Sequence, residues 1–197
     1  MCHAFLTEAK FYQLLTRIDE SIAEDVRAGG CDCGGVLHSA RYPRKPRGLR
    51  AALGDAYESR LSLCCARDGC RRRHTPPSVR FLGRKVYLGV MVVLITALHH
   101  GLTEPRRRRL IEHLDVPVQT LWRWRRWWRE QFLASRCWQA LAGQLIPPIA
   151  GDRLPGSLLE RLTARTLSER LVELLMLISP VTTATSSLKV QRRPQRM

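Results

Sequence analysis

The chain has 197 residues, 45% of them hydrophobic, which is enough to build a sizeable core and excludes wholesale disorder. Its 33 Lys and Arg against 17 Asp and Glu leave a net charge of +16, which needs an acidic partner or strong counterion screening. Nucleic acid is expected ahead of an anionic membrane surface, because released phosphate counterions drive binding. Seven cysteines, an odd count, argue against a secreted disulfide framework. The first residues, Met-Cys-His-Ala-Phe-Leu-Thr-Glu-Ala-Lys, lack the pattern of a secretory signal. A cytoplasmic, nucleoid-associated protein is expected.

In chain order, residues 1–30 carry an amphipathic helix over 5–27. Phe11, Leu15, Ile18 and Ile22 recur at helical spacing on one face. Glu8, Asp19, Glu20, Glu24 and Asp25 lie on the other face, the most acidic stretch of the chain and so not an expected DNA contact, and Gly29-Gly30 stops the helix. Residues 31–80 change character, with cysteines, glycines, prolines and arginines crowded together. Alternating runs at Val36 to Tyr42 and Arg60 to Cys64 predict two strands. Between them Pro43 and Pro46 forbid helix, so Arg44, Lys45 and Arg47 are expected on an extended, exposed segment where they meet phosphates.

Residues 86–141 read as helical. Val86 to His100 is a nearly all-apolar helix ended by Gly101, and its apolar run falls short of the ~20 residues that cross a bilayer. Thr103 caps a second helix, with Glu104 and Pro105 in its first turn, running to Leu114. Asp115-Val116-Pro117 makes a turn, and a third helix follows from Val118 to Leu141. A linker over 143–157 precedes an amphipathic helix at 157–178, and a basic tail at 180–197 is expected to be disordered. The predicted fold class is mainly α, with a small zinc-ribbon β element inserted between helices and a helix-turn-helix core.

Two cysteine pairs carry the clearest chemistry: Cys31-Asp32-Cys33-Gly34-Gly35 and Cys65-Ala66-Arg67-Asp68-Gly69-Cys70. Close pairs beside glycines suit a tetrahedral Zn2+ site, because tight turns bring neighbouring thiolates onto one ion. The spacings depart from the usual C-x2-C, being C-x-C and C-x4-C. Cys64 is a substitute for Cys65, and His38 or His74 a substitute for a cysteine; a group of buried, reduced cysteines is the alternative. Four thiolates close the coordination sphere, which points to one structural ion rather than a catalytic one.

The stretch from Thr103 to Leu133 has the proportions of a helix-turn-helix. On a helical wheel Val118, Leu121, Trp124, Trp128 and Phe132 form the core face. Gln119, Arg123, Arg126, Trp127 and Glu130 point away. Gln119, Thr120, Arg123 and Arg126 are therefore the expected DNA-binding residues of the third helix, near whose start base edges are met. Arg106 and Arg107, in the arginine run of the preceding helix, are expected to hold phosphates.

The N-terminal helix, the Cys31 to Cys70 segment and Val116-Pro117-Val118-Gln119-Thr120-Leu121-Trp122-Arg123-Trp124 together resemble the DNA-binding end of insertion-sequence transposases. The resemblance spans residues 1–140. It implies a zinc ribbon held by Cys31, Cys33, Cys65 and Cys70, a reading helix that starts at Gln119, and DNA as partner. Such transposases continue into a nuclease domain with three metal-binding carboxylates. Here the acids beyond residue 140 are Asp152, Glu160, Glu169 and Glu173, without a strand pattern. A truncated or accessory mobile-element protein is therefore expected, with a small helix-turn-helix regulator as the alternative. A metal-dependent nuclease using His99, His100 or His113 ranks lower, and no small-molecule substrate is implied. The apolar stripe of 157–178 suggests a homodimer, against packing of that helix within its own chain.

Overall fold

Asp19 lies on the first helix yet is 2% exposed, and its partners come from the far side of the predicted strands. The computed structural model describes residues 8–44, 55–82, 87–90, 92–93, 108 and 117–183. Lys45, Arg47, Arg106, Arg107, the histidines His99, His100 and His113, the helix expected from Thr103 to Leu114 apart from the helical Arg108, and residues 184–197 lie outside them.

Helix α1 spans Ala9–Ala28 and turns Phe11 and Leu15 inward, as its spacing predicts; Ile18 and Ile22 of the predicted face are half-buried, and Tyr12 and Ala23 join the buried side. Two antiparallel arms follow. Strands β1 (Leu37–Ser39) and β2 (Tyr42–Pro43) form one arm; β3 (Ser59–Arg60) and β4 (Leu63–Cys65) form the other. The register runs from Leu37 opposite Cys65 to Pro43 opposite Ser59, so the two predicted strands do pair. A third strand, β5 (Arg73–His74), adds to β4 with Leu63 opposite His74. β6 (Phe81–Leu82) pairs with β7 (Tyr87–Leu88), so the expected helix from Val86 begins instead as a strand. The apolar run there is short and β-branched, and the pairing with Phe81–Leu82 takes its first residues.

The expected helix from Val118 to Leu141 is divided. Helix α2 covers Val118–Arg126, a wider π-helical turn covers Trp127–Phe132, and α3 covers Arg136–Ala142. The break has a local cause. The Ser135 hydroxyl donates to the Phe132 carbonyl at 2.6 Å and accepts from the Trp138 N–H at 3.1 Å, taking backbone groups that a continuous helix would pair. Trp128 and Phe132 are both fully buried, 4.8 Å apart between ring centroids.

Residues 143–155 are more than a linker, because Leu154 is buried and Leu145 and Ile149 pack on the core. The final helix is also split, into α4 (Gly156–Arg161) and α5 (Leu167–Ile178). Thr166 starts α5 with a reciprocal capping box: its hydroxyl accepts from the Glu169 N–H, and the Glu169 carboxylate accepts from the Thr166 N–H. Leu171, Leu174, Leu175 and Ile178 are buried in the core that α1, β6, α2 and the π turn also line. The stripe behind the dimer expectation is thus used within this chain. The tail expected from residue 180 is corrected at its start, where Ser179–Thr182 forms a 3-10 turn and the Thr182 hydroxyl accepts from the Ser78 N–H.

The acidic face predicted for α1 is corrected at Asp19. Its carboxylate accepts from the Ser78 hydroxyl at 2.6 Å, the Val79 N–H at 2.7 Å and the Arg80 Nε–H at 2.7 Å. Arg80 is equally buried, so the pair is a desolvated ion pair. Removing one partner leaves an uncompensated buried charge. Asp19→Ala should therefore lower unfolding stability by about 3–5 kcal/mol. A fall in the urea midpoint of that order checks it; an unchanged midpoint would show that Arg80 reaches solvent.

Candidate metal centre

The first turn of the centre follows directly from α1. Gly30, with φ of +66°, redirects the chain into Cys31, and Gly34, at +79°, folds it back so that its N–H reaches the Cys31 carbonyl at 2.7 Å. The second turn leaves β4 at Cys65 and returns at Cys70 through Gly69, at φ +84°. The sulfurs of Cys31, Cys33, Cys65 and Cys70 converge, all within 4.8 Å of one another. Cys31 and Cys70 are 3.7 Å apart, and Cys33 and Cys65 3.5 Å. An ion held tetrahedrally by thiolates at ~2.3 Å spaces its sulfurs at about 3.8 Å, so the four side chains fit a metal ion.

The register decides between the alternative ligands. Adjacent strand residues face opposite sides, so Cys65 faces the centre while Cys64 and its cross-strand partner His38 face away. Cys64 instead lies 3.5 Å from the Arg71 carbonyl, to which its thiol donates. His74, opposite Leu63, does approach: its Nε2 is 3.3 Å from Cys31 Sγ. With its proton on that nitrogen the ring donates to the sulfur, a supporting contact around a complete four-sulfur set.

Backbone donors surround the sulfurs. The Cys33 N–H points at Cys31, the Gly35 N–H at Cys33 and the Arg67 N–H at Cys65. The Gly35 N–H, followed by the thiols of Cys70 and Cys65, pulls the Cys33 thiol down to about 6. For Cys65 the Arg67 N–H acts downward, but desolvation and the protons it shares with Cys33, Cys70 and Cys31 prevail and push it up to about 12. Cys31 is raised by the same balance, the Cys33 N–H being outweighed by desolvation and its thiol neighbours. Gly35 closes the cradle: a Cβ there would lie 2.5 Å from Cys65 Sγ and 3.3 Å from Cys33 Sγ.

Arginines bind the two turns together. Arg67 donates to the Cys33 carbonyl at 2.6 Å, and Arg72 reaches Asp32 at 2.9 Å. Four thiolates around a divalent ion would carry net negative charge, which Arg67 beside Cys33 would offset, whereas the charge of Arg72 is balanced by Asp32.

The residues expected on DNA are placed unevenly. Gln119, Arg123 and Arg126 are exposed on α2, with Arg126 paired to Glu130 at 2.7 Å. Thr120 is 5% exposed and faces the core, so it cannot meet a base edge; its position between Gln119 and Leu121 turns it inward with Leu121 and Trp124. Trp127, expected outside, is half-buried against Trp128 and Phe132. Arg44 is half-buried, with its guanidinium 4.5 Å over the Tyr42 ring. His74, expected as a substitute for a cysteine, stands instead beside the four sulfurs, and Gly35 was legible in the C-x-C-G-G run; sequence reasoning missed Arg67 and Arg72, whose contacts across the two turns depend on the strand pairing. No helix among the described residues is long and apolar enough to cross a membrane. No family model, curated protein or solved structure matches the chain.

Two outcomes follow for metal binding. Cys33→Ser and Gly35→Ala should each release a bound ion or weaken it strongly, while Cys64→Ser leaves binding unchanged; metal content per chain checks this. Metal uptake must displace the protons held by Cys65 and Cys31, so affinity should fall as pH is lowered, and more steeply below about 6, where Cys33 also protonates. A pH-independent affinity would exclude the thiolates as ligands.

Proposed function

We propose that this chain is a sequence-specific DNA-binding protein of transposase type, and that its four clustered cysteines hold a structural Zn2+ in a zinc ribbon. The observation that carries the reading is the division of α2. Leu121, Trp124 and the following Trp128 are buried, while Gln119, Arg123 and Arg126 stand exposed on the other side, in a chain of net charge +16. An exposed helical face with Gln and Arg near its start has the donors that bind adenine N6/N7 and guanine O6/N7 in a major groove. The all-sulfur donor set supports zinc in a closed, structural role, since a catalytic ion keeps a position open for water.

Within this reading Gln119 and Arg123 read bases. Arg126, held by Glu130, and Thr120, buried, do not. Arg44 contacts phosphate, and so do Lys45, Arg47, Arg106 and Arg107. The transposase assignment rests on the sequence resemblance, and no second class of function has an observation in its favour.

Selection from a random DNA pool should yield a preferred site, and metal analysis should find one zinc per chain. Arg123→Ala should then cost about 1–3 kcal/mol on that site and relax its sequence preference. Arg44→Ala should weaken preferred and scrambled DNA alike and lower the salt slope by about one. The absence of any preferred sequence would sink the reading of α2.

A further inference from the structure

Apart from the buried Arg60, the arginines around the antiparallel arms divide into two sets. Those at the sulfur end are engaged: Arg67 with the Cys33 carbonyl, Arg71 with Asp68 at 3.1 Å and Arg72 with Asp32. Arg41, Arg44 and Arg73 have no carboxylate partner among the described residues. Two of these three meet at one ring. The Arg44 guanidinium carbon stands 4.5 Å from the centre of the Tyr42 ring, and that of Arg73 5.8 Å. The strands arrange this meeting. Arg73 lies opposite Cys64 in the register, on the side of the sheet turned away from the sulfurs, and Tyr42 opens β2 in the same arm as β1. Arg41 and Arg73 are exposed, and Arg44 and Tyr42 half-buried.

We infer that Tyr42, Arg44 and Arg73 form a clamp for one backbone phosphate of duplex DNA, which makes these arms a DNA-holding surface in addition to α2. The inference rests on the DNA-binding reading and deepens it, adding Tyr42 and Arg73 to the Arg44 contact. Like charges brought to one place repel unless an anion joins them. No protein carboxylate joins these: Glu58, whose backbone carbonyl accepts the Arg44 N–H, forms no ion pair with either arginine. A guanidinium held over a ring keeps its N–H edge for another acceptor, and that edge matches two phosphate oxygens at once. Arg44 also donates to the Tyr42 hydroxyl at 3.2 Å. Since that hydroxyl accepts, its own proton remains for an oxygen of the ligand. In a chain of +16, a polyanion that releases counterions is favoured over an isolated anion.

The test measures binding of the full-length, metal-loaded protein to duplexes of selected and scrambled sequence across a salt series. Arg44→Ala and Arg73→Ala should each weaken both duplexes several-fold and lower the salt slope by about one. Because the two arginines hold one phosphate, the double variant should also lose about one, not about two. Tyr42→Phe keeps the ring and should weaken both duplexes with the slope unchanged. Arg73 is exposed, so Arg73→Ala should keep the metal content and thermal midpoint of the wild type. Arg73→Gln, which keeps a long side chain, should give the same loss of binding. A double variant that loses about two overturns the clamp and makes the arginines separate contacts. Unchanged binding in Arg73→Ala overturns it, and so does a loss confined to the selected sequence. Arg123→Ala separates the clamp from base reading. A lost preference in Arg123→Ala, with no effect of Arg44→Ala or Arg73→Ala, defeats the clamp alone. Clamp effects without any preferred sequence defeat the reader alone. A wild type that binds neither duplex defeats both.

Discussion

A carboxylate moved out of water must find partners for its charge, and in this protein that requirement joins segments far apart in the chain. Asp19 on α1 gathers Ser78, Val79 and Arg80. Arg80 in turn donates to the Ala56 carbonyl at 2.6 Å and lies between the Tyr57 and Phe81 rings. Beside it the buried Arg60 donates to the Pro76 carbonyl at 2.9 Å and approaches the Thr182 hydroxyl. The Asp19 carboxylate thus pairs directly with Arg80 and acts on the buried Arg60 through its charge at longer range. Burial weakens the hold of Arg60 on its proton, and carbonyls and ring faces make up the remainder of its surroundings. Such a knot gives little net stability compared with an apolar core, but it admits one geometry for α1 against the strands.

The thiol centre sits at the other end of the same segments. α1 leads through Gly29-Gly30 into Cys31, and β5 leads from His74 towards Ser78. The antiparallel arms are thus tied at one end by four sulfurs and at the other by Asp19. Between the ties the apolar content is small: Leu37 and Leu63 are the fully buried aliphatic residues of that cluster. A cluster of that size cannot offset the ordering of the arms through burial alone. An ion held by the four converging sulfurs would contribute the missing free energy, because binding to a site that exists only in the folded state adds to folding stability.

What the sequence disclosed follows the range of the interactions involved. The four sulfur ligands were legible because each pair is set by a local turn marked by glycine. The choice between Cys64 and Cys65 was not, since it depends on strand register, and a slip of one residue exchanges the two faces. Periodicity placed Phe11, Leu15, Leu121, Trp124 and Trp128 inside, but it placed Asp19 outside, because a helical wheel cannot see a partner sixty residues away (Arg80 is 61 residues on). The break before α5 was written in Thr166-Leu167-Ser168-Glu169, a capping-box pattern obscured by the leucines on either side. The break at Ser135 had no comparable mark, since serine is tolerated within helices and its effect there depends on which backbone groups its hydroxyl takes.

The aromatic residues explain how a short helix can present a defined surface. α2 has nine residues, too few to be stable alone in water. Its persistence depends on the turn that follows, where Trp127, Trp128, Phe132 and Trp138 pack ring against ring with centroids 4.8 to 5.5 Å apart. Trp127–Trp128 and Trp128–Phe132 meet edge to face, a directional packing that fixes the rotation of the helix as well as its position. Burial of Thr120 on the inner side follows from that rotation, and so does the exposure of Gln119, Trp122 and Arg123. Recognition needs donors held to within a fraction of an ångström by elements that do not themselves rearrange. In α2 the tryptophans on the inner face supply that rigidity, and the polar and arginine side chains on the outer face inherit it.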